Sequence, residues 1–276
     1  MLDESRGLPA HALDAIADLE RRVVAADGGR LKLEWGTLRA RPDDEVQDLL
    51  WWEGGELLGF LGSYRFGPWV ELAGMVAPEA RRRGIGTALI HAGRRLCRER
   101  ALLVVPRASA GGHALALGRG ATLDHSEHAL VLTSAPAPGP SDPRVSLRRA
   151  LPSDADAVAR LLADGFGYHV DDMAERLAGE REPTLLVERD GVPVGTLRVT
   201  LEGEEGGVYG FVVDPALQGQ GIGRDVLRRV CTELRADGAT RVGLEVAVQN
   251  EHALGLYPSI GFPPRTTEDY YALPAG

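Results

Sequence analysis

The apolar positions of the chain repeat one arrangement twice: a short apolar run, a glycine-rich turn and a segment of helical periodicity. The apolar runs cover residues 70–76 and 208–213, and the helical segments cover residues 87–100 and 224–236. An apolar run that ends in glycine and continues with helical periodicity is typical of a strand, a tight turn and a helix. The sequence therefore predicts the same strand–turn–helix arrangement in each half of the chain.

The remaining segments of the second half alternate between the two kinds of element. Asp190 and Gly191 are turn residues between two predicted strands. Ser153 is the predicted N-cap of a helix that runs to about residue 165. The first half is similar, but it is predicted to open with a helix at residues 9–26 instead of a strand. Further strands are predicted at residues 145–148, 184–188, 194–201, 242–248 and 270–273, and further helices at residues 171–179 and 251–260.

A proline-rich stretch lies almost at the midpoint of the chain. Residues 134–143 contain four prolines and one glycine, which continue neither a helix nor a central strand. A chain of 276 residues has the length of two domains. We therefore predict a first domain at residues 1–134, a linker at residues 135–144 and a second domain at residues 145–276.

The two turns share the pattern Gln/Arg-x-x-Gly-x-Gly, and one constant spacing aligns every position of the two copies. Glycine lets a backbone approach a ligand closely, and the N–H groups of such a turn lie at the positive end of the following helix. This arrangement predicts a pyrophosphate site. A ligand-free glycine turn is the alternative, and the three arginines of the first copy also suit a solvated charged surface. The predicted contacts are Arg81, Arg82, Arg83, Gly84, Ile85 and Gly86 in the first copy, and Gln218, Gly219, Gln220, Gly221, Ile222 and Gly223 in the second.

Composition narrows the function classes. A net charge of −9 and a pI of about 5.3 argue against a nucleic-acid partner. Cys97 and Cys231 are too few for a disulfide framework or a four-cysteine zinc site, and we predict no metal. The sequence shows neither a signal peptide nor an apolar run of roughly 20 residues, so we expect a cytoplasmic protein without a membrane partner. Lys32 is the only lysine.

On the two strand–turn–helix copies, the chain resembles a tandem pair of GNAT domains, the Gcn5-related N-acetyltransferases. The resemblance implies an α/β fold with a mixed sheet in each domain, whose fourth and fifth strands splay apart to admit the pantetheine arm of coenzyme A. It also implies that acetyl-CoA is the co-substrate and that its pyrophosphate binds at the glycine turn.

The second half carries a further resemblance at residues 243–262, to the end of the ribosomal-protein alanine N-acetyltransferases. It implies that Tyr257 is the general acid, Glu245 the general base and Asn250 a cofactor contact. Two of them have another interpretation: Tyr257 as a packing residue, and Glu245 as a salt-bridged or solvated residue, with Glu204 and Glu205 as alternative bases. The splayed strand is implied to hold the thioester oxygen, and the helix start to hold phosphate, through Phe211, Val212, Val213 and Arg224.

The first half lacks the corresponding side chains. When Gly120 is aligned with Gly261, Ala116 takes the position of Tyr257 and Ser109 that of Asn250. We therefore predict that the first domain is catalytically silent. The sequence leaves open whether that domain binds acetyl-CoA.

The predicted function is acetyl transfer from acetyl-CoA to a primary amine by direct attack in a ternary complex, in the second domain. The acceptor is a small molecule or a protein N-terminus. One alternative is mycothiol synthase, which the tandem arrangement resembles, although that family has a glutamate where this chain has Gly207. Another is a non-catalytic acyl-CoA sensor. The sequence carries no signal for the acceptor's identity or for the oligomeric state.

Overall fold

The computed structural model describes residues 1–66, 69–167, 169–179, 183–248 and 255–274, apart from the side chains of residues 66, 264 and 265. The chain forms two compact units. Unit 1 consists of Met1–Glu127 together with Thr266–Gly276, and unit 2 consists of His128–Arg265. Both boundaries between the units fall within strands, one after residue 127 and the other after residue 265.

Unit 1 is an α/β unit with helices packed on a mixed sheet. Its strand order is β1-β2-β3-β4-β5-β12, so a strand from the C-terminal segment completes it. The ladders are antiparallel except between β4 and β5. The elements are β1 (Leu2–Ser5), α1 (Ala10–Asp27), α2 (Trp35–Arg39), β2 (Asp48–Glu53), β3 (Glu56–Phe66), β4 (Trp69–Val76), α3 (Ile85–Leu96), β5 (Arg100–Pro106), α4 (Ala110–Gly118), β6 (Thr122–Leu132), which crosses into unit 2, and β12 (Pro264–Ala272).

Unit 2 repeats the arrangement in the strand order β7-β8-β9-β10-β11, where only β10 and β11 are parallel. Its elements are β7 (Val145–Arg149), α5 (Ala155–Phe166), α6 (Met173–Gly179), β8 (Thr184–Arg189), β9 (Val192–Glu202), β10 (Glu205–Val213), α7 (Ile222–Ala236) and β11 (Arg241–Ala247). Neighbouring residues of β10 belong to two different apolar clusters. Val213 packs with residues of α7, and Val212 packs with residues of α5 and α6. Helices therefore cover both faces of the sheet.

Both units contain a parallel pair of strands that separates part-way along. In unit 2 the β10–β11 ladder ends at Val208–Leu244, although the strands continue to Val213 and Ala247. In unit 1 the β4–β5 ladder ends in the same way at Leu72–Leu103. The splayed strands implied by the GNAT resemblance are thus present in both units.

A β-bulge distinguishes the two splayed strands. The register of β10 on β9 shifts by one residue between Tyr209 and Val212, and Gly210 in this stretch has φ +57°. The corresponding strand β4 pairs with β3 in unbroken register. A bulge bends its strand and re-aims backbone groups, and bulges are enriched beside active sites. Within the described residues, only unit 2 has such a bulge on its splayed strand.

The bulge also fixes which residues correspond between the units. Leu72 and Val208 end the two parallel ladders and correspond before the bulge, whereas the extra residue of β10 shifts the match by one position after it. On the neighbouring strands, Leu103 of β5 corresponds to Leu244 of β11. Counting from these pairs, Glu71 takes the register position of Gly207, and Val104 takes that of Glu245.

Several local expectations differ from the structure. The first half opens with strand β1 before its helix, because these four residues pair with β2 as a short, largely polar strand. Ser153 lies inside a short 3₁₀ turn, and the N-cap of α5 is Asp154, whose carboxylate accepts from the amide of Leu151. Residues 255–261 form turns, and the rest of the predicted helix at 251–260 lies outside the described residues.

The proline-rich segment is part of unit 2 in the structure. Arg228 on α7 donates hydrogen bonds to the carbonyls of Ala137 and Pro140, at 2.9 and 3.0 Å. The amide of Ala137 donates to the carbonyl of Ile260 at 2.8 Å. These contacts hold residues 135–144 against unit 2, and the residues after 265 belong to unit 1 rather than to the second domain.

Candidate active site

The glycine turn of unit 2 has the backbone that its sequence predicts. Gly219 and Gly221 have φ of +77° and +86°, in the left-handed region that favours glycine. The side-chain amide of Gln218 donates to the carbonyl of Val213 at 3.0 Å and closes the turn. Helix α7 begins at Ile222, so its first N–H groups have no partner within the helix. The turn therefore presents donors and a positive helix end at one point.

The approach to this turn is open. A Cβ added at Gly219 or Gly221 would meet no heavy atom within 4 Å, and one at Gly223 would make only ordinary contacts. Arg224 is exposed on the first turn of α7 and has no ion-pair partner among the described residues. Gln220 is engaged, because its side-chain oxygen accepts from Arg189 at 2.6 Å. A phosphate group thus fits this turn without displacing a side chain.

The gap between β10 and β11 adjoins the turn. Phe211 lies in the bulge, and Val212 and Val213 follow it. These three residues belong to the stretch of β10 that has no ladder partner on its β11 side among the described residues, and a short turn connects them to Gln218. The backbone of this stretch is available to a ligand that enters between the strands.

Glu245 lies at the point where the strands part. It follows Leu244, the last residue of β11 paired with β10, and it is half-buried. Its neighbours Leu244 and Val246 point into the cluster with α7, so Glu245 belongs to the opposite face of the sheet. Glu204 and Glu205 are exposed at the far end of β10, beside Thr240 and Arg241.

Tyr257 lies on the α7 side of unit 2. It is 7% exposed and belongs to the apolar cluster that includes Leu244 and Val246. Burial raises its pKa to about 12, so the phenol stays protonated at neutral pH. The described residues give its hydroxyl no hydrogen-bond partner. Asn250 lies outside the described residues.

The turn of unit 1 is similar in shape but differs in chemistry. Arg82 takes the place of Gly219 with φ +63°, and Gly84 has φ +87°. Arg81 forms a bidentate pair with Asp27, at 2.7 and 2.8 Å, and Arg83 pairs with Glu53. Ile85 begins helix α3 and is buried. Two of the three arginines therefore already have carboxylate partners within unit 1.

At Gly86, the counterpart of Gly223, unit 1 is more closely packed than unit 2. A Cβ added at Gly86 would lie 2.9 Å from a methyl carbon of Leu115 on α4. Ala116, at the position of Tyr257, is fully buried, and Ser109 caps α4 by accepting from the amide of Gly112. No group able to donate a proton occupies the position of the tyrosine.

Two charged residues of this region, Lys32 and Glu71, were not predicted from the sequence. Both are buried in unit 1, with their ammonium and carboxylate groups 3.0 Å apart. The available signals were a lone acidic residue within the apolar run 70–76 and a lone lysine in the whole chain. Neither indicates a partner, because the contact joins distant segments.

Comparison with known proteins identifies one family. The model of the acetyltransferase (GNAT) family matches residues 14–116 and 155–262. A mycothiol acetyltransferase of Kineococcus radiotolerans is 31% identical, covering 96% of this chain and 94% of that protein. One of a Nocardioides species is 27% identical, covering 92% and 94%. A [ribosomal protein bS18]-alanine N-acetyltransferase of Haemophilus ducreyi is 36% identical over 26% of this chain and 51% of that protein.

Solved structures share the fold over the whole chain. A GCN5-related N-acetyltransferase from Sphaerobacter thermophilus has a TM-score of 0.79 at 19% identity, covering 98% of this chain and 94% of its own. A tandem GNAT protein from the clavulanic acid biosynthesis pathway has a TM-score of 0.69 at 20% identity, covering 100% and 99%. Within the described residues no helix is long and apolar enough to span a membrane, and no group of three potential metal ligands occurs.

Proposed function

The chain belongs to the GNAT family of acetyltransferases, as its two glycine turns predict, and on this premise we propose that unit 2 transfers an acetyl group from acetyl-CoA to a primary amine. The observation that carries the proposal is the opened β10–β11 gap. It adjoins the unobstructed turn at Gly219 and Gly221, and it has Glu245 and Tyr257 on opposite faces of β11.

Coenzyme A binding is assigned to the turn and the gap. The N–H groups from Gly219 to Arg224 hold the pyrophosphate, and the guanidinium of Arg224 supplies further charge. The pantetheine arm enters where β10 and β11 have no ladder between them. Asn250 is proposed as a further contact to this arm on the strength of its motif.

The acceptor is activated by removal of a proton. An alkyl amine is mostly protonated at neutral pH, and only the neutral amine has a lone pair to attack the thioester. Glu245, at the parting of the strands, accepts this proton directly or through water. The nitrogen then attacks the thioester carbonyl, and a C–N bond forms.

Collapse of the tetrahedral intermediate breaks the C–S bond. Backbone N–H groups of the stretch that contains Phe211, Val212 and Val213 stabilise the negative oxygen, and one such donor typically lowers the barrier by about 2.7–4 kcal/mol. Tyr257 holds its proton at neutral pH and delivers it to the leaving thiolate. The attacking nitrogen releases its second proton to solvent, solvent restores the protonation states of Tyr257 and Glu245, and the products are the N-acetylated amine and coenzyme A. The described cysteines, Cys97 and Cys231, are buried, and burial raises the pKa of both thiols, which suits direct transfer better than an acyl-enzyme.

Unit 1 is proposed to be catalytically silent. It lacks the bulge on its splayed strand, has Ala116 in place of Tyr257 and has Val104 in place of Glu245. Two arginines of its turn are already paired with carboxylates.

A second candidate function is the acetylation of the cysteinyl amine of a mycothiol precursor. The end-to-end similarity to mycothiol acetyltransferases favours it. Gly207 argues against an identical site, because a Cβ there would lie 2.6 Å from the ring of Tyr209 and 2.5 Å from the hydroxyl of Thr200. The space of a glutamate side chain at this position is thus filled by Tyr209 and Thr200.

The test is release of free coenzyme A thiol from acetyl-CoA with a panel of amines: cysteinyl glycosides, amino sugars, polyamines and peptides with free N-termini. We expect turnover with at least one class and markedly slower turnover in the Tyr257→Phe variant. Acetyl-CoA binding without turnover on the whole panel would instead support a sensor. Turnover that persists when Gly221 is replaced but disappears when Gly84 is replaced would assign catalysis to unit 1.

A further inference from the structure

The only lysine of the chain buries its ammonium group in unit 1. Lys32 lies in the segment between α1 and α2 and is 7% exposed. Its Nζ lies 3.0 Å from a carboxylate oxygen of Glu71 and donates a hydrogen bond to the hydroxyl of Tyr270 at 2.6 Å. That hydroxyl donates to the carboxylate of Glu127 at 2.8 Å. The ammonium therefore sits among two carboxylates and a phenol.

Such burial is unusual for this residue type. Lysine is rarely buried unless it is paired, because moving an ammonium out of water is costly. A well-packed apolar side chain of similar size often stabilises a fold equally well. The fold of unit 1 alone thus gives no reason for a charge at this place.

The strand register relates the lysine to the proposed acceptor position. Glu71 stands one residue before the last β4–β5 pair, Leu72–Leu103. Tyr270 on β12 pairs with Val104, which occupies the position that Glu245 has in unit 2. The partners of the Lys32 ammonium thus lie on either side of the point where β4 and β5 part. In unit 2 the corresponding point is where the proposed base removes a proton from the acceptor.

The segment that carries Lys32 also has a counterpart. The α1–α2 segment of unit 1 corresponds to the α5–α6 segment of unit 2, which contains the exposed acids Asp171 and Asp172. Unit 2 contains no lysine at all, since Lys32 is the only one in the sequence. A buried lysine ammonium is therefore a property of unit 1 alone.

We propose that unit 1 retains a binding site for a primary ammonium group and that the chain fills this site itself with Lys32. The lysine acts as a built-in acceptor mimic that excludes external amines. The ion pair with Glu71 and the hydrogen bond to Tyr270 hold Lys32 as a mimic, and it is not itself acetylated. The inference rests on the proposed function, because it explains why acceptors are used in unit 2 only.

The test removes the Lys32 side chain beyond Cβ and adds a small amine that has the same atoms as the part removed. Lys32→Ala deletes three carbons and the nitrogen, which n-propylammonium replaces. The thermal midpoint of this variant is measured against rising n-propylammonium chloride and, at equal concentration, tetramethylammonium chloride, which has the same charge but no N–H donor. The wild-type protein and the double variant Lys32→Ala/Glu71→Gln are titrated in parallel. The double variant opens the same space and also removes the negative charge of Glu71.

We expect a saturable rise in the midpoint of Lys32→Ala with n-propylammonium and none with tetramethylammonium. The thermal midpoints of the wild type and of the double variant should respond equally to the two cations. If Lys32→Ala folds only in the presence of n-propylammonium, the proposal is also supported. Equal responses to both cations, no response, or a variant that neither cation allows to fold would overturn it.

Two parallel measurements keep this inference separate from the proposed function. Acetyl transfer by unit 2 in the same variants should match the wild type, so a loss of transfer with an intact propylammonium response would contradict only the proposed function. Peptide mass spectrometry after incubation with acetyl-CoA should find Lys32 unmodified. Stoichiometric acetylation of Lys32 would show that it is a substrate rather than a mimic.

Discussion

The ring of Phe262 packs edge-on against the ring of Tyr257, with 6.3 Å between their centroids. The backbone amide of Phe262 also donates to the carbonyl of Tyr257 at 3.1 Å. The tyrosine ring is therefore fixed by packing and by its backbone, and not by a hydrogen bond of its hydroxyl to a described residue. This separates the two possible roles of the side chain, packing and proton donation.

Tyr257→Phe should preserve the fold and lower kcat. The ring contacts survive, so the thermal midpoint should change little, whereas loss of the proton donor should reduce kcat and kcat/KM together. We expect a loss of about 100-fold, the low end of the 10²–10⁴ range for acid–base groups, because a thiolate is a fairly good leaving group. Steady-state kinetics and acetyl-CoA binding by calorimetry measure the two effects separately.

Tyr271→Phe is the matched control in unit 1, where the hydroxyl is hydrogen-bonded to His113 at 2.9 Å. This change should leave kcat unaltered. Full kcat in Tyr257→Phe would return Tyr257 to a packing role.

Gly221→Val and Gly84→Val form a matched pair that assigns the coenzyme A site. Both glycines have φ near +86° and open space around a Cβ, so each substitution strains the backbone by a similar amount, about 1–2 kcal/mol. We expect Gly221→Val to abolish acetyl-CoA binding and transfer by unit 2. Gly84→Val should leave the transfer rate nearly intact. Calorimetric titration measures acetyl-CoA binding, and a transfer assay measures activity. Loss of binding and transfer in Gly84→Val but not in Gly221→Val would show that unit 1 is the active one.

Glu245→Gln should change the pH dependence of transfer more than the binding of acetyl-CoA. Without a base in the site, the reaction needs amine that has already lost its proton, and this fraction grows as pH rises towards the pKa of the acceptor. The rate at neutral pH should fall by about 10²-fold, and much of it should return at high pH. Glu205→Gln, on the exposed end of the same pair of strands, is the control and should keep the wild-type profile.

Asp48 should make unit 1 less stable as pH rises. Burial raises its pKa to about 6 from an ordinary value of 3.8, despite the opposing attraction of Arg41. A raised carboxyl pKa means that the folded state prefers the protonated form. The stabilising contribution is therefore fully present below about pH 3.8 and is lost as pH rises through 6. At 1.36 kcal/mol per pH unit, the change is up to about 3 kcal/mol.

Asp48→Asn removes this titration. The free energy of unfolding of the variant, minus that of the wild type, should increase between pH 4 and 7. Urea unfolding at several pH values measures the difference. A difference that stays constant with pH would contradict the expected titration.

The sequence predicted the elements that depend on local pattern. The strand–turn–helix copies, the Asp190–Gly191 turn and the left-handed glycines all follow from short stretches of residues, and the structure contains them. The GNAT resemblance correctly implied the parting of the parallel strands. The elements that were missed depend on distant pairing. Strand β1 has only four residues and is defined by its ladder with β2, and the bulge at Gly210 is visible only once β10 is paired with β9.

The residues that occupy the site were harder to predict than the strands and turns that surround it. Matching Ala116 with Tyr257 needed only one constant spacing. Matching Glu71 with Gly207 needed the register on both sides of a bulge, and the contact between Lys32 and Glu71 joins segments that are far apart in the sequence. The sequence also did not predict which sheet β12 joins. A repeat shows that two strands are alike, but it does not show with which strand each one pairs.

The return of β12 to unit 1 has a consequence for the order of events during synthesis. Residues 268–272 pair with β5, which the ribosome makes before any part of unit 2, and Tyr270 is wholly buried in the core of unit 1. Multidomain chains usually fold from the N-terminus as they emerge, but unit 1 must wait until all of unit 2 has been translated. Until then the open edge of β5 can pair with other strands in the nascent chain. The half of the protein made first is thus the last to be finished.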